Sequence, residues 1–138
     1  MASSDYEVKS VILCDDVRRE DSSKDILIGV YNDVIAVDSV PALLPLISVR
    51  FLLKVLRTGV IKVEGAITQP DGTDIVQFGG DLAVVTTRFL GVMSFRAVPM
   101  VFNALGRYEI KAGPSNSRDV VSVFDVITKE ELMAAYAK

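Results

Sequence analysis

In "GRYEIKA", residues 106–112, Tyr108, Ile110 and Ala112 fall on one side and Arg107, Glu109 and Lys111 on the other. Successive side chains of a strand point to opposite faces, so this is the pattern of a half-buried strand. "GVIKVEGAI" repeats it, with Ile61, Val63 and Ile67 opposite Lys62 and Glu64. "QPDGTD" then supplies Pro70, Asp71 and Gly72, which favour a turn, and "IVQF" follows. Residues 59–78 read as a β-hairpin, which Gly79 and Gly80 interrupt as a bulge or second turn would.

Residues 47–57, "ISVRFLLKVLR", satisfy two periods. Ile47, Val49, Phe51, Leu53 and Val55 alternate perfectly, while Val49, Leu52, Leu53 and Leu56 fit a helical stripe. The β-branched residues and the neighbouring strands favour a strand. Further strands are expected at 7–14, 26–37 (with a break allowed at Asn32-Asp33), 82–87, 90–100 and 119–127. One helix is expected near 129–137, because Thr128 and Glu131 have capping-box spacing and "KEELMAAYA" is rich in helix formers. Short strands joined by Gly, Pro and Asp turns predict a mainly β fold: a single-domain antiparallel two-sheet β-sandwich over residues 1–138 with a short C-terminal helix. With no Trp, the Cys…Trp…Cys pattern of antibody domains is absent.

Composition narrows the chemistry. A chain of 138 residues, half of them hydrophobic, is long enough to bury a real core. The net charge is -3, with both signs spread along the chain. Nucleic acid is therefore not an expected partner, because phosphate binding needs a concentrated basic surface. No signal peptide is recognisable. The apolar-rich "VPALLPLISVRFLLKVL" carries two prolines, an Arg and a Lys, which makes it a poor membrane span, and no membrane partner is expected. The chain has one cysteine, Cys14, and no histidine. A lone thiol fits a reducing cytoplasm. The lack of histidine removes His-based triads and almost all zinc sites.

The densest charge lies in "CDDVRREDSSKD", residues 14–25. Asp15, Asp16, Glu20 and Asp21 could supply oxygens to a divalent cation. The spacing does not match an EF-hand, and Arg18, Arg19 and Lys24 would repel a cation. The plainer reading is a solvated turn between strands. Cys14 lacks a base and reads as a buried small hydrophobe rather than a nucleophile. "FGGD" lacks the Lys-Ser/Thr ending of a phosphate loop, and "GPSNS" reads as a hairpin loop. No cofactor is expected, and no enzyme mechanism finds a full set of parts.

"VPALLPLI", 40–47, sets Leu43, Leu44 and Leu46 in a loop framed by Pro41 and Pro45. These leucines either plug the end of the core or form a contact patch. Leu132, Met133 and Tyr136 lie at helical spacing in the terminal helix and need a cover. Pro99, inside the apolar pattern 90–100, suggests an edge strand or a bulge.

"ILCDDVRREDSSKDILIGVYNDVI" resembles the opening of an uncharacterised family of small bacterial proteins: an apolar strand, "CD", a charged loop and a "GVY" strand. "ALGRYEIKA" is similar to the G-x-Y strand of immunoglobulin-like sandwiches, and "VVSVFDVI" to the strand after it. The resemblance implies a cytoplasmic, immunoglobulin-like β-sandwich and carries no functional residue. The expected function is a non-enzymatic protein-interaction or structural module whose partner is a protein or a second copy, as a homodimer. The alternative is a small-ligand or divalent-cation binder using the acidic loop 15–25, possibly with an enzymatic role.

Overall fold

The computed structural model describes residues 5–22, 24–97 and 99–137. Eleven strands and one helix follow in order: β1 Tyr6–Arg19, β2 Asp25–Tyr31, β3 Val34–Val37, β4 Ala42–Leu44, β5 Ile47–Val55, β6 Gly59–Thr68, β7 Asp74–Val84, β8 Gly91–Ala97, β9 Met100–Phe102, β10 Gly106–Ala112, β11 Asp119–Thr128 and α1 Lys129–Tyr136. They form a four-stranded sheet β2-β1-β5-β8, a five-stranded sheet β3-β11-β10-β6-β7 and a two-stranded ribbon β4-β9. The fold is mainly β, as the alternation predicts.

Side chains of the two larger sheets meet in one core. Phe51 of β5 and Phe95 of β8 converge on Phe78 of β7, with ring centroids 5.8 and 4.5 Å from it. A second aromatic group joins Tyr108, Phe102 and Phe124; the Tyr108 and Phe124 rings stack at 5.3 Å. The ambiguous segment 47–57 is a strand: Ile47, Val49, Phe51, Leu53 and Val55 are all buried. A helix would have left part of that row in water.

Four expectations change. The ladder is not wholly antiparallel, because β3 lies parallel to β11 with Val34 opposite Asp125 and Val37 opposite Thr128. Gly79 and Gly80 neither bulge nor turn. They continue β7 opposite Glu64 and Val63, and the register shift falls at Ile67/Thr68 instead. A Cβ at Gly80 would come 2.9 Å from the Met93 methyl of the other sheet, so this glycine permits close approach of the sheets. The strand expected at 82–87 is therefore the end of β7, and residues 85–90 form a connection. The loop 40–47 contains β4, paired with β9 through Leu43 opposite Val101. Pro99 sits between β8, an edge strand, and β9.

The fourth change is at the charged stretch. The strand expected at 7–14 runs on to Arg19, so Asp15 and Asp16 lie within β1 and only residues 20–24 separate it from β2. This ribbon is strongly coiled. Arg50 of β5 faces Ile12, whereas Asp25 faces Arg19. Ile12 and Arg19 would be roughly 23 Å apart along a straight strand. Yet Arg50 Nε donates to Asp25 Oδ2 at 2.9 Å. Gly29, with φ 66°, allows the bend, since any Cβ there would collide with the Asp15 carboxylate. Two-stranded ribbons take the largest twist of any sheet.

Candidate functional site

The coiled ribbon holds every cation candidate named from the sequence, and it sends them to different partners. Asp15 accepts a hydrogen bond from the Tyr31 hydroxyl at 2.7 Å. Asp16, buried, accepts from Arg18 Nε at 2.7 Å, from Arg96 Nη2 at 2.7 Å and from the Val17 amide at 2.9 Å. Glu20 accepts from the Ser22 hydroxyl, and Asp21 is exposed. Among the described residues no group of carboxylates or thiols is gathered as a metal would require. The stretch is also more than a solvated turn, because Asp16–Arg96 and Asp25–Arg50 tie the ribbon to β8 and β5.

The electrostatics follow from these contacts. The Arg18 hydrogen bond, joined by Arg96 and the Val17 amide, holds the Asp16 carboxyl below its ordinary value of 3.8 despite burial. Burial pushes the Tyr31 phenol up to about 12, with the neighbouring Asp15 carboxylate adding to the shift. Cys14 is fully buried, its Sγ directed to the Asp16 carbonyl at 3.4 Å, and burial raises its thiol pKa. It is placed as a small hydrophobe, not as a nucleophile.

A depression of about 600 Å³ opens beside Gln69, Asp74, Arg96, Met100 and Asn103. Its charged groups are engaged within the chain: Asp74 accepts from Arg118 at 2.8 Å and from Gln77, and Arg96 is held by Asp16. Among the described residues lining it, none of the charged groups is left free to converge on one point, as acid–base or nucleophilic catalysis needs.

The apolar candidates are more informative. Leu43 is 60% exposed and faces Val101, itself 39% exposed, across the β4–β9 ribbon; Leu44 and Leu46 are half-buried. Leu44 packs against the core while Leu43 stays exposed, so the leucine loop divides between the two roles. Helix α1 starts directly from β11: Thr128 ends the strand, and its hydroxyl accepts from the Glu131 amide at 3.0 Å. No residue of α1 is buried. Met133 is 72% and Tyr136 83% exposed, and Leu132 is half-buried. Lys129 and Asp38 form an ion pair at 3.3 Å, and Lys129 shares a depression with Leu43 and Leu44. The helix base and the ribbon therefore lie at one end of the fold.

Sequence reasoning missed two further apolar surfaces. Ile26, Ile28 and Val30 form an exposed row on β2, which is an edge strand. Val85, Phe89 and Leu90 border one depression on the β7–β8 connection, and Leu56 and Val60 are exposed at the neighbouring crossing from β5 to β6. Alternation located these side chains on strands and loops, but only the strand order shows that no described residue covers them.

The described part of the molecule is thus a mainly β protein in which Asp16, Asp25 and Asp74 tie segments of the chain together and several large apolar side chains stay exposed. The chain belongs to a family of unknown function, DUF6941, whose model matches residues 9–113. The match runs from β1 to just past β10. No curated protein matches the chain. Among the described residues no helix is long and apolar enough to cross a membrane.

Proposed function

We propose that this protein is a non-enzymatic interaction module that pairs with a second copy of itself through the end carrying α1 and the β4–β9 ribbon. The observation that carries this reading is that α1 buries none of its residues on its own chain, although Met133 and Tyr136 are large and apolar. A helix of this length is marginal in water, because nucleation is costly and too few hydrogen bonds follow to offset it. The Thr128 cap contributes about 1 kcal/mol, which is not enough alone. A two-fold partner would cover the apolar face of α1 with Leu43 and Val101 beside it, and the two-fold dimer is the commonest closed assembly.

In this reading the two larger sheets form a β-sandwich of immunoglobulin-like type. Support comes from Tyr108, whose buried hydroxyl donates to the Ala104 carbonyl at 2.7 Å, four residues upstream. That bond resembles the tyrosine corner of such folds. The cytoplasmic assignment rests on the single cysteine, held as a buried thiol.

Hydrogen exchange tests the covered helix. Amides of residues 129–136 gain protection as protein concentration rises if copies pair there. Protection that is independent of concentration would contradict the reading.

A further inference from the structure

We propose that the opposite end of the fold is a lipid-contacting tip that docks on anionic membrane surfaces. Registers define this end. Tyr6 faces Val55, and Gly59 faces Val84, so the β5–β6 and β7–β8 connections lie side by side there. Gly106 faces Val126, and Glu109 faces Thr68, which puts α1 at the other end with the β6–β7 turn. The inference is therefore independent of the association surface.

Two features single out the tip. The first is its apolar surface. Val85 is 90% exposed, Phe89 66%, Val60 62%, Leu90 52% and Leu56 42%. Val85, Phe89 and Leu90 border one shallow depression with Val55, so the apolar side chains of the β7–β8 connection are contiguous with one another and with the end of β5. Single exposed hydrophobics are ordinary; a contiguous group is a contact surface. Val85, Phe89 and Leu90 stand on the β7–β8 connection, where their exposure leaves them free to enter a headgroup layer.

The second feature is charge. The connections, residues 56–58 and 85–90, contain Arg57 and Arg88 and no carboxylate, and no carboxylate occurs anywhere from 82 to 108. Asp5 approaches the tip, where Arg57 holds it at 2.7 Å. The Arg88 guanidinium lies over the Phe89 ring, 5.3 Å from its centroid. Glu20, Asp21 and Asp71, by contrast, lie in turns directed away from the tip. In a protein of net charge -3 this asymmetry turns the apolar end toward an anionic surface. Phe89 and Leu90 would enter the interface while the long Arg88 side chain keeps its charge among the headgroups, Arg57 being neutralised by Asp5.

Flotation of the full chain with vesicles is the test, comparing phosphatidylcholine alone with phosphatidylcholine containing about 30% phosphatidylserine, an anionic lipid of the kind that attracts basic segments. The chain floats with the anionic vesicles at low ionic strength and is released by salt. Phe89→Ser with Leu90→Ser weakens flotation about tenfold or more, and Arg88→Gln about fivefold. Both variants alter exposed side chains, and an unchanged melting midpoint confirms that they fold. Failure to float, equal flotation on both vesicle types, or unchanged flotation of the Phe89/Leu90 variant would overturn the proposal. So would a fall in association state caused by that variant, which would assign the tip to a second copy.

Discussion

Arg96 of β8 and Asp16 of β1 meet at 2.7 Å across the full width of β5, which lies between their strands. The Asp16 side chain is only 4% exposed, whereas those of Arg96 and Arg18 are 57% and 67% exposed. The carboxylate is the dependent partner: water can solvate either arginine, but among the described residues only the arginines and one amide satisfy Asp16. Replacing both arginines strands a buried charge, which costs more than replacing the carboxylate. Arg18→Ala with Arg96→Ala is therefore expected to lower the melting midpoint more than Asp16→Asn does. Equal midpoints would show that the pairs are ornamental.

The same contacts set an acid limit. The folded pKa of Asp16 lies below its ordinary 3.8, so its contribution is complete above that value and lost as pH falls through the lower folded pKa. Wild type loses stability in this range, and Asp16→Asn loses less. Parallel pH profiles for the two proteins would contradict the assignment.

Tyr31 sets an alkaline limit with the opposite sign. Its pKa rises from 10.0 to about 12 on folding, so the stabilisation is present below pH 10.0 and disappears as pH rises toward 12. Tyr31→Phe, which cannot ionise, flattens the stability profile in that window. An unaltered profile would indicate that Tyr31 is not in its buried contact with Asp15.

Tyr108 is fully buried, stacks on Phe124 and hydrogen-bonds through its hydroxyl. Tyr108→Ala costs about 3–5 kcal/mol, the range of buried aromatic truncations. Tyr108→Phe costs only about 1 kcal/mol, the net worth of one hydrogen bond. Denaturant midpoints give both figures. A neutral Tyr108→Ala would place the ring outside the core.

How much of this was legible depends on how far each interaction reaches along the chain. Tyr108, Ile110, Ile61 and Val63 announce their burial through strict alternation, because the side-chain period of a strand is local. Thr128 announces the helix start for the same reason. Gly79 and Gly80 mislead, because glycine weakens a strand locally but cannot reveal that Met93 of the other sheet needs the space. The charged stretch misleads more. Asp16 and Arg96 are distant in sequence, and Asp25 and Arg50 meet only because the ribbon coils. Partners of that kind turn an apparent solvated turn into continuous strand, and no local pattern records them. The apolar tip, built from Leu56 and Phe89, was likewise hidden until the crossings between sheets placed the two loops together.

The central claim, that α1 and the β4–β9 ribbon serve self-association, is tested most directly by sedimentation equilibrium at micromolar concentration. The native chain is expected at twice the mass of the 15.0 kDa protomer, and Met133→Asp with Tyr136→Asp is expected at the protomer mass with the fold intact. A native chain that sediments as a clean monomer, or a dimer that survives both substitutions, would contradict it.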